Sequence, residues 1–467
     1  MTDIEADYLV VGAGAMGMGF VDQLLTDSDA SVVMVDRRHA PGGHWIDGYA
    51  FLRLHQPAAY YGVNSRPLDS GARDEQGPNA GLIELASRDQ VVGYYDAILN
   101  QRFLPSGRVR FFPMTEHEGG GEIVSRLTGE RRTVRARRVV DATHLSPSIP
   151  AHHTPDFEVA PGATCIRVND LPALARPGAD YVLVGAGKTG MDTALWLLEN
   201  GVGPARIRWI MPRDSWMLDR AHYQPGQEHL GEVLDTLANE VEAIVESTSL
   251  EDLFERLEAK GCRLRLDPSV TPAIHRCATV SKGELALMRT ITDVVRMGYV
   301  RRIEPGRIVL DGGEIATRAD TIHIDCTAPG INYRPTRPIF EDGRVTLQHV
   351  RLCQPVFSAA LIGHVEARYG SDAEKNALCP PVEPPSDTVG WLRMLAVELP
   401  NRTRLITNPA INDWLAGCRL DPLAGRIRNV QPTDTHELMA FARYMQNAPA
   451  AIEKVGRLLA EITSSRT

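Results

Sequence analysis

The chain has 467 residues, a formal net charge of −9, 43% apolar and 23% charged residues. That length carries two or three domains with buried cores, the balance is that of a globular protein, and the acidity argues against nucleic acid as a main partner. No apolar run reaches the length of a membrane span, the acidic opening MTDIEAD leads into a strand rather than a signal peptide, and seven scattered cysteines without Cys-x-x-Cys spacing fit a reducing cytoplasm with no disulfide frame, zinc site or common redox dithiol.

Residues 8–11 (YLVV) read as a buried strand, and the glycine run after them opens a helix ending near Leu25. Residues 31–35 (SVVMV) are the next strand, so the chain opens β-α-β, the start of a doubly wound α/β sheet. Between them Gly12, Gly14 and Gly17 have G-x-G-x-x-G spacing. The first glycine permits the tight turn, the second lets backbone approach a pyrophosphate, and the third lets the helix pack closely. The helix N-terminus, beginning at Ala15 and Met16, offers free N–H groups and a positive dipole end to phosphates. Asp36 ends the second strand roughly 20 residues on, where a carboxylate takes ribose hydroxyls.

Residues 37–57 continue with Arg37, a Pro-Gly-Gly turn through Gly43, then His44, Trp45, Arg53, His55 and Gln56. Residues 71–79 are a surface loop, and residues 108–112, 123–127 and 138–142 look like strands.

A second β-α-β begins at residues 181–184 (YVLV). Gly185, Gly187 and Gly190 repeat the glycine device with Lys188 and Thr189 between them. Here the second strand, residues 206–211, ends without an acid, and Arg213 stands just beyond it. A carboxylate would repel a ribose 2′-phosphate, whereas an arginine pairs with it for roughly 1.5–3 kcal/mol. This site is therefore expected to prefer NADPH to NADH; the alternative is Arg213 on a solvated turn, with Lys188 and Arg220 as competing cations. Two glycine motifs imply two dinucleotides, FAD and a nicotinamide nucleotide that delivers hydride to it.

Residues 214–220 read best as a domain-interface loop and residues 229–260 as helices. Residues 321–326 and 356–362 are predicted strands. Residues 379–385 (CPPVEPP) form a stiff linker to a helical C-terminal region, residues 386–467. His152, His153, His222 and His229 have no partner at metal-ligand spacing and read as surface or capping histidines, and no metal is expected.

At this point the chain resembles the two-dinucleotide-binding-domain flavoproteins, and within them the flavin-containing monooxygenases, which include Baeyer–Villiger and N-hydroxylating enzymes. The matching residues are Gly12 to Gly17, Asp36, Gly42-Gly43-His44-Trp45, the stretch from Asp141, Ala142 and Thr143 to Pro150, and Gly185 to Gly190. The resemblance implies an NADPH domain (161–320, with a helical insertion at about 227–300) inserted into an FAD domain (1–160 and 321–380). It puts Arg37, Gly43, His44, Trp45, Ala142 and Thr143 along FAD. Residues 356–363 would supply the last strand and, at Gly363, a turn near the flavin. It places Arg53, His55 and Gln56 over the flavin ring, His55 as a proton or hydrogen-bond donor and Gln56 as a cofactor contact; the alternatives are a His55 that bonds a backbone carbonyl beneath the loop and an Arg53 in a surface ion pair.

The activity so implied is FAD- and NADPH-dependent oxidation of a small organic substrate by molecular oxygen in a single-component enzyme. A homodimer is the base-rate expectation. The family fingerprint Phe-x-Gly-x-x-x-His is absent between residues 157 and 180. Two alternatives therefore stay open: a flavin dehydrogenase or reductase that inserts no oxygen, and a non-catalytic nucleotide-binding sensor or scaffold.

Overall fold

Short runs such as VVMV and YVLV, buried at every position, have no polar face to give to water. Such runs belong inside parallel sheets covered on both sides. In a computed structural model, which describes residues 3–176 and 178–464, they lie in two separate parallel sheets. Met1 and Thr2 of the acidic opening lie outside the described residues.

The first unit runs β1 (Ile4–Val11), α1 (Ala15–Asp27), β2 (Val32–Val35), β3 (Val109–Phe112) and β4 (Arg131–Asp141). The chain then builds a second unit from β5 (Thr164–Arg167), β6 (Tyr181–Val184), α2 (Lys188–Glu199), β7 (Ile207–Ile210) and β8 (Ser215–Asp219). It continues with α3 (Leu230–Glu246), α4 (Leu250–Ala259), β9 (Ile274–Val280), β10 (Asp293–Val295) and β11 (Ile322–Asp325). It returns to the first sheet with β12 (Arg344–Thr346) and α5 (Pro355–Arg368), and ends in helices that include α6 (Thr388–Thr407) and α7 (Thr435–Ser464).

In the first sheet the parallel strands lie in the order β12-β4-β1-β2-β3, and in the second β10-β7-β6-β11-β5. In each, the strand before the glycine motif is central, and the chain leaves it first to one side and later to the other. That reversal opens a crevice at the carboxyl ends of the strands, where open α/β sheets bind ligands.

Three expectations are corrected here. Residues 356–362, predicted as a strand, are the interior of α5. Every residue from Val356 to Glu366 is buried, so this helix has no polar stripe to reveal its period. Gly363 is accordingly not in a turn. It sits where a Cβ would come within 3.0 Å of the Phe20 carbonyl, as Gly19 faces the Val356 carbonyl. The two glycines let α1 and α5 pack side by side in parallel. Fully burying Val356, Phe357, Leu361 and Ile362 contributes about 1.5–3 kcal/mol each.

Second, residues 322–325 do not return to the first sheet: β11 pairs with β6 and β5 in the second. The stretch expected to be helical to about residue 300 likewise contains β9 and β10, and residues 215–219 form β8 rather than a loop.

Third, Cys277 and Cys353 are joined by a disulfide, while Cys165, Cys262, Cys326, Cys379 and Cys418 are free. The pair is 76 residues apart. It closes because the fold brings β9 to the segment before α5, a proximity that no local spacing announces.

Candidate functional site

At the end of β1 the chain turns sharply at Gly12 (φ +104°), and Gly12 N–H donates to the Val35 carbonyl at 2.8 Å. A Cβ on Gly17 would fall inside the Gly12 carbonyl, and one on Gly12 would lie 3.1 Å from Thr143 Cγ2. The turn thus forces glycine at both positions. No side chain caps the N-terminus of α1 at Gly14, so the first-turn N–H groups at Ala15, Met16 and Gly17 are open to an anion.

Asp36, buried at the end of β2, accepts from Ala13 N–H at 2.7 Å and from Arg38 N–H at 2.8 Å. These bonds aim the carboxylate across the glycine turn. The Gly42-Gly43 turn closes the other side: Gly42 N–H donates to the Ala13 carbonyl at 2.9 Å. A Cβ on Gly43 (φ +59°) would lie 2.9 Å from Gly14 Cα. On the neighbouring strand Asp141 accepts from Thr143 N–H (2.9 Å) and hydroxyl (2.7 Å), and from Arg344 at 2.7 Å. Burial alone would raise the Asp141 pKa; those donors hold it below the ordinary value. Gly12, Gly14, Asp36, Gly43, Ala142 and Thr143 therefore meet in one crevice. Arg37 is exposed beside it, and Gly363 stands within the α1–α5 contact.

Along the following loop, burial pushes the His44 imidazole down to about 4, with Arg38 adding to the effect. Trp45 is buried and donates through Nε1 to the Tyr61 hydroxyl at 2.8 Å, so its indole is part of the core under the loop. His55 and Gln56 are half-buried, whereas Arg53 is exposed and donates to the Leu85 carbonyl at 3.3 Å. Burial, reinforced by Lys188 and Arg220, holds the His55 imidazole well below its ordinary pKa. At neutral pH that ring is uncharged, so it can donate one N–H but not an imidazolium proton.

The second crevice repeats the first. Gly185 (φ +118°) stands where a Cβ would be 2.8 Å from the Cys326 carbonyl, and a Cβ on Gly190 would strike the Gly185 carbonyl. Asp325 accepts from Thr327 N–H and hydroxyl, as Asp141 does from Thr143. The N-terminus of α2 at Gly187 is again uncapped. Lys188 is paired with Asp192, one turn along the helix. Arg213 lies past the end of β7, exposed, its guanidinium 5.9 Å from the Tyr299 ring centre. No carboxylate among the described residues pairs with it, whereas its neighbour Asp214 is bound by Arg296 at 2.8 Å.

Two features joining these crevices escaped the sequence reading. The Tyr49 hydroxyl donates to Asp192 at 2.7 Å, and Phe51 stacks on Trp196 at 5.1 Å, so the 37–57 loop grips α2. The buried Arg220 donates to the His55 carbonyl (2.9 Å), Asn79 (2.5 Å) and the Thr279 carbonyl (3.1 Å), and pairs with Glu284 at 2.9 Å. Burial would raise the Glu284 carboxyl, but Arg220 and Lys188 keep it below the ordinary range. Tyrosine and arginine at such positions carry no spacing signature; only an acid and a base left over on unrelated elements could have hinted at the pairs.

Two glycine-cradled crevices at sheet switch points define a fold of two nucleotide-type α/β units, a fold shared with cyclohexanone monooxygenase. The open crystal structure of cyclohexanone monooxygenase superposes with a TM-score of 0.50 at 13% identity, covering 80% of this chain and 88% of that one. A flavin-containing monooxygenase from Stenotrophomonas maltophilia gives 0.45 at 18% identity, over 80% of this chain and 99% of its own. Oxidized steroid monooxygenase bound to NADP gives 0.49 at 15%, over 78% and 85%. No family model matches the chain. It is 47% identical over 464 residues, 99% of its length and 86% of the relative's, to the uncharacterized protein Rv2000 of Mycobacterium tuberculosis (strain ATCC 25618 / H37Rv). The uncharacterized protein Mb2023 of Mycobacterium bovis matches to the same degree. The chain belongs to the family of these mycobacterial proteins.

Proposed function

We propose that the protein is an FAD- and NADPH-dependent oxidoreductase, monooxygenase-like, acting on a small organic substrate with molecular oxygen. The carrying observation is the pair of glycine cradles at two switch points, of which only the first has an acid at its second strand end. In the first unit, Gly12, Gly14 and Gly17 leave room for a pyrophosphate against uncapped N–H groups. Asp36 suits a ribose diol, and Gly43, Ala142 and Thr143 line the same crevice. In the second unit, the one spanning β5 to β11, Gly185, Gly187, Thr189 and Gly190 form the cradle, and Arg213, which no carboxylate among the described residues pairs, suits a 2′-phosphate.

When bound, flavin and nicotinamide supply the electron-transfer and oxygen chemistry. The chain's own residues position and shield. The Tyr49–Asp192 and Phe51–Trp196 contacts hold the loop of the first unit against the cradle of the second. Arg220 fixes the His55 backbone from below, and the neutral His55 ring offers a hydrogen bond without bringing a charge. The half-buried Gln56 adds an amide beside it. Arg53, exposed at the loop's outer side, is left as a substrate-entry contact.

The purified protein is expected to be yellow and to be bleached by NADPH. NADPH consumption in air should yield a product heavier by one oxygen. Colourless protein that releases no flavin on denaturation overturns the reading. Bleaching and turnover with an artificial electron acceptor, but no oxygen in any product, favours the dehydrogenase reading that the missing Phe-x-Gly-x-x-x-His run supports.

A further inference from the structure

Cys277 and Cys353 tie together parts of the two units that the main chain joins only at a distance. Cys277 lies in β9, whose partner β8 continues from the second sheet. Cys353 stands two residues before α5. Because α5 runs parallel to α1 with Val356 against Gly19, this sulfur is at the same end of the first unit as the glycine cradle. The bond therefore links β9 to the cradle end of the first unit.

Of the three described non-glycine residues with positive φ, two are these cysteines, at +57° and +51°. A left-handed backbone is costly for any residue with a Cβ, and it persists where the surroundings impose it. The cross-link is the constraint these two residues share. The sulfurs also differ in access: Cys277 is 7% exposed, whereas Cys353 is half-buried. One residue from Cys277, the Arg276 guanidinium lies 5.7 Å from the Tyr333 ring centre, with a buried Nε that has no hydrogen-bond partner among the described residues.

We propose that Cys277–Cys353 is a reversible thiol–disulfide site, opened by low-molecular-weight dithiols, that fixes the second unit against the cradle end of the first. A dithiol thiolate attacks Cys353 Sγ, the Sγ–Sγ bond breaks, and Cys277 leaves as the thiolate. The second thiol of the reagent, deprotonated, then attacks its own sulfur in the mixed disulfide and releases Cys353. The protein disulfide is reduced by two electrons, the reagent is oxidised to its disulfide, and the two proton losses of the reagent balance the two thiols formed. Opening frees β9 and residues 347–354 to relax from the left-handed conformation.

The test uses the full chain purified without reductant and needs no turnover, so its failure is distinct from failure of the proposed activity. Denatured without reductant, the protein should show five reactive thiols out of seven. After native treatment with dithiothreitol and removal of the reagent it should show seven. Oxidised dithiothreitol should restore five. Trypsin cleavage at Arg276 and Arg351, which flank the cysteines, should rise several-fold in the opened form. Cys353→Ser should cleave like the opened form whether or not reductant is present. Seven thiols before reduction that stay seven in oxidised dithiothreitol overturn the proposal. So does a bond that native dithiothreitol leaves intact, and so does a cleavage pattern identical in the closed, opened and Cys353→Ser proteins.

Discussion

The Tyr49 hydroxyl meets the Asp192 carboxylate at 2.7 Å, and through it the loop after the first glycine cradle is tied to the helix that opens the second. Burial and the nearby carboxylate push the phenol well above its ordinary pKa, so it stays a donor at any working pH. Tyr49→Phe keeps the ring against Phe51 and removes the hydroxyl, with its bond to Asp192 and its contact with the Thr189 side chain. The expected loss is about 1.5–3 kcal/mol, the range for a hydrogen bond to a charged acceptor, read from urea unfolding. The KM for NADPH should rise while flavin content holds. An unchanged unfolding midpoint would remove the bond from the contact between units.

Gly43 faces Gly14 so closely that a Cβ would sit 2.9 Å from Gly14 Cα, on a backbone at φ +59°. The obstacle is backbone, so it cannot rotate away. Gly43→Ala is expected to cost roughly 1–3 kcal/mol from conformation alone and to displace the turn that walls the first cradle. The flavin-to-protein absorbance ratio after purification should fall. Full flavin content in a folded variant would show that this wall is not part of the cofactor site.

Both cradles were legible in the sequence because their chemistry is local: glycine spacing, a strand before, a helix after, and an acid or an arginine at the next strand end. Residues 356–362 were misread for the opposite reason. A helix buried all round has no amphipathic period, and a short apolar run then looks like an interior strand. The Tyr49–Asp192 contact, at a sequence separation of 143, and the Cys277–Cys353 bond depend on how the units pack, which no window of sequence contains. His55 was legible as a position but not as a charge state, since its burial, and the approach of Lys188 and Arg220 that adds to it, come only from the fold.

Stability should fall on mild acidification. His44 and His349 are each pushed down to about 4, and His55 and His275 lie well below their ordinary value, all mainly by burial. The unfolded imidazoles bind protons below about pH 6.5 and the folded ones do not. Stability is therefore fully present above about 6.5 and is lost as pH falls from there towards 4. Each ring contributes a slope of up to about 1.4 kcal/mol per pH unit. Asp27 and Asp141, held below 3.8, add their loss only at lower pH. Urea midpoints between about pH 7.5 and about pH 5 should drop steeply, and less steeply in His349→Gln. A flat profile would contradict the buried neutral state.

Arg220 is fully buried and carries Glu284 with it at 2.9 Å. Removing one partner leaves an uncompensated charge in the interior. Arg220→Leu is expected to cost roughly 3–5 kcal/mol, and Arg220→Leu combined with Glu284→Leu markedly less, because the orphaned carboxylate is gone. A double-mutant cycle by denaturant unfolding reads this directly. If the double variant is as unstable as the sum of the singles, the pair is uncoupled and Arg220 acts mainly through the His55, Asn79 and Thr279 oxygens it binds.

Arg213 is expected to decide between the two nicotinamide nucleotides. It stands two residues beyond Met211, the position that matches Asp36 in the first unit, and is exposed, beside the Tyr299 ring and paired with no carboxylate among the described residues. Asp214 is not its partner, being held by Arg296. A guanidinium left free in this way can give its donors to a 2′-phosphate, for about ten- to a hundredfold in affinity. Arg213→Ala should weaken NADPH by that factor, spare NADH, and flatten the dependence of NADPH binding on salt, since a surface charge pair is screened. Isothermal titration with both nucleotides at two ionic strengths measures all three effects. Equal loss for NADPH and NADH would mean that Arg213 supports the turn after β7 and not the phosphate.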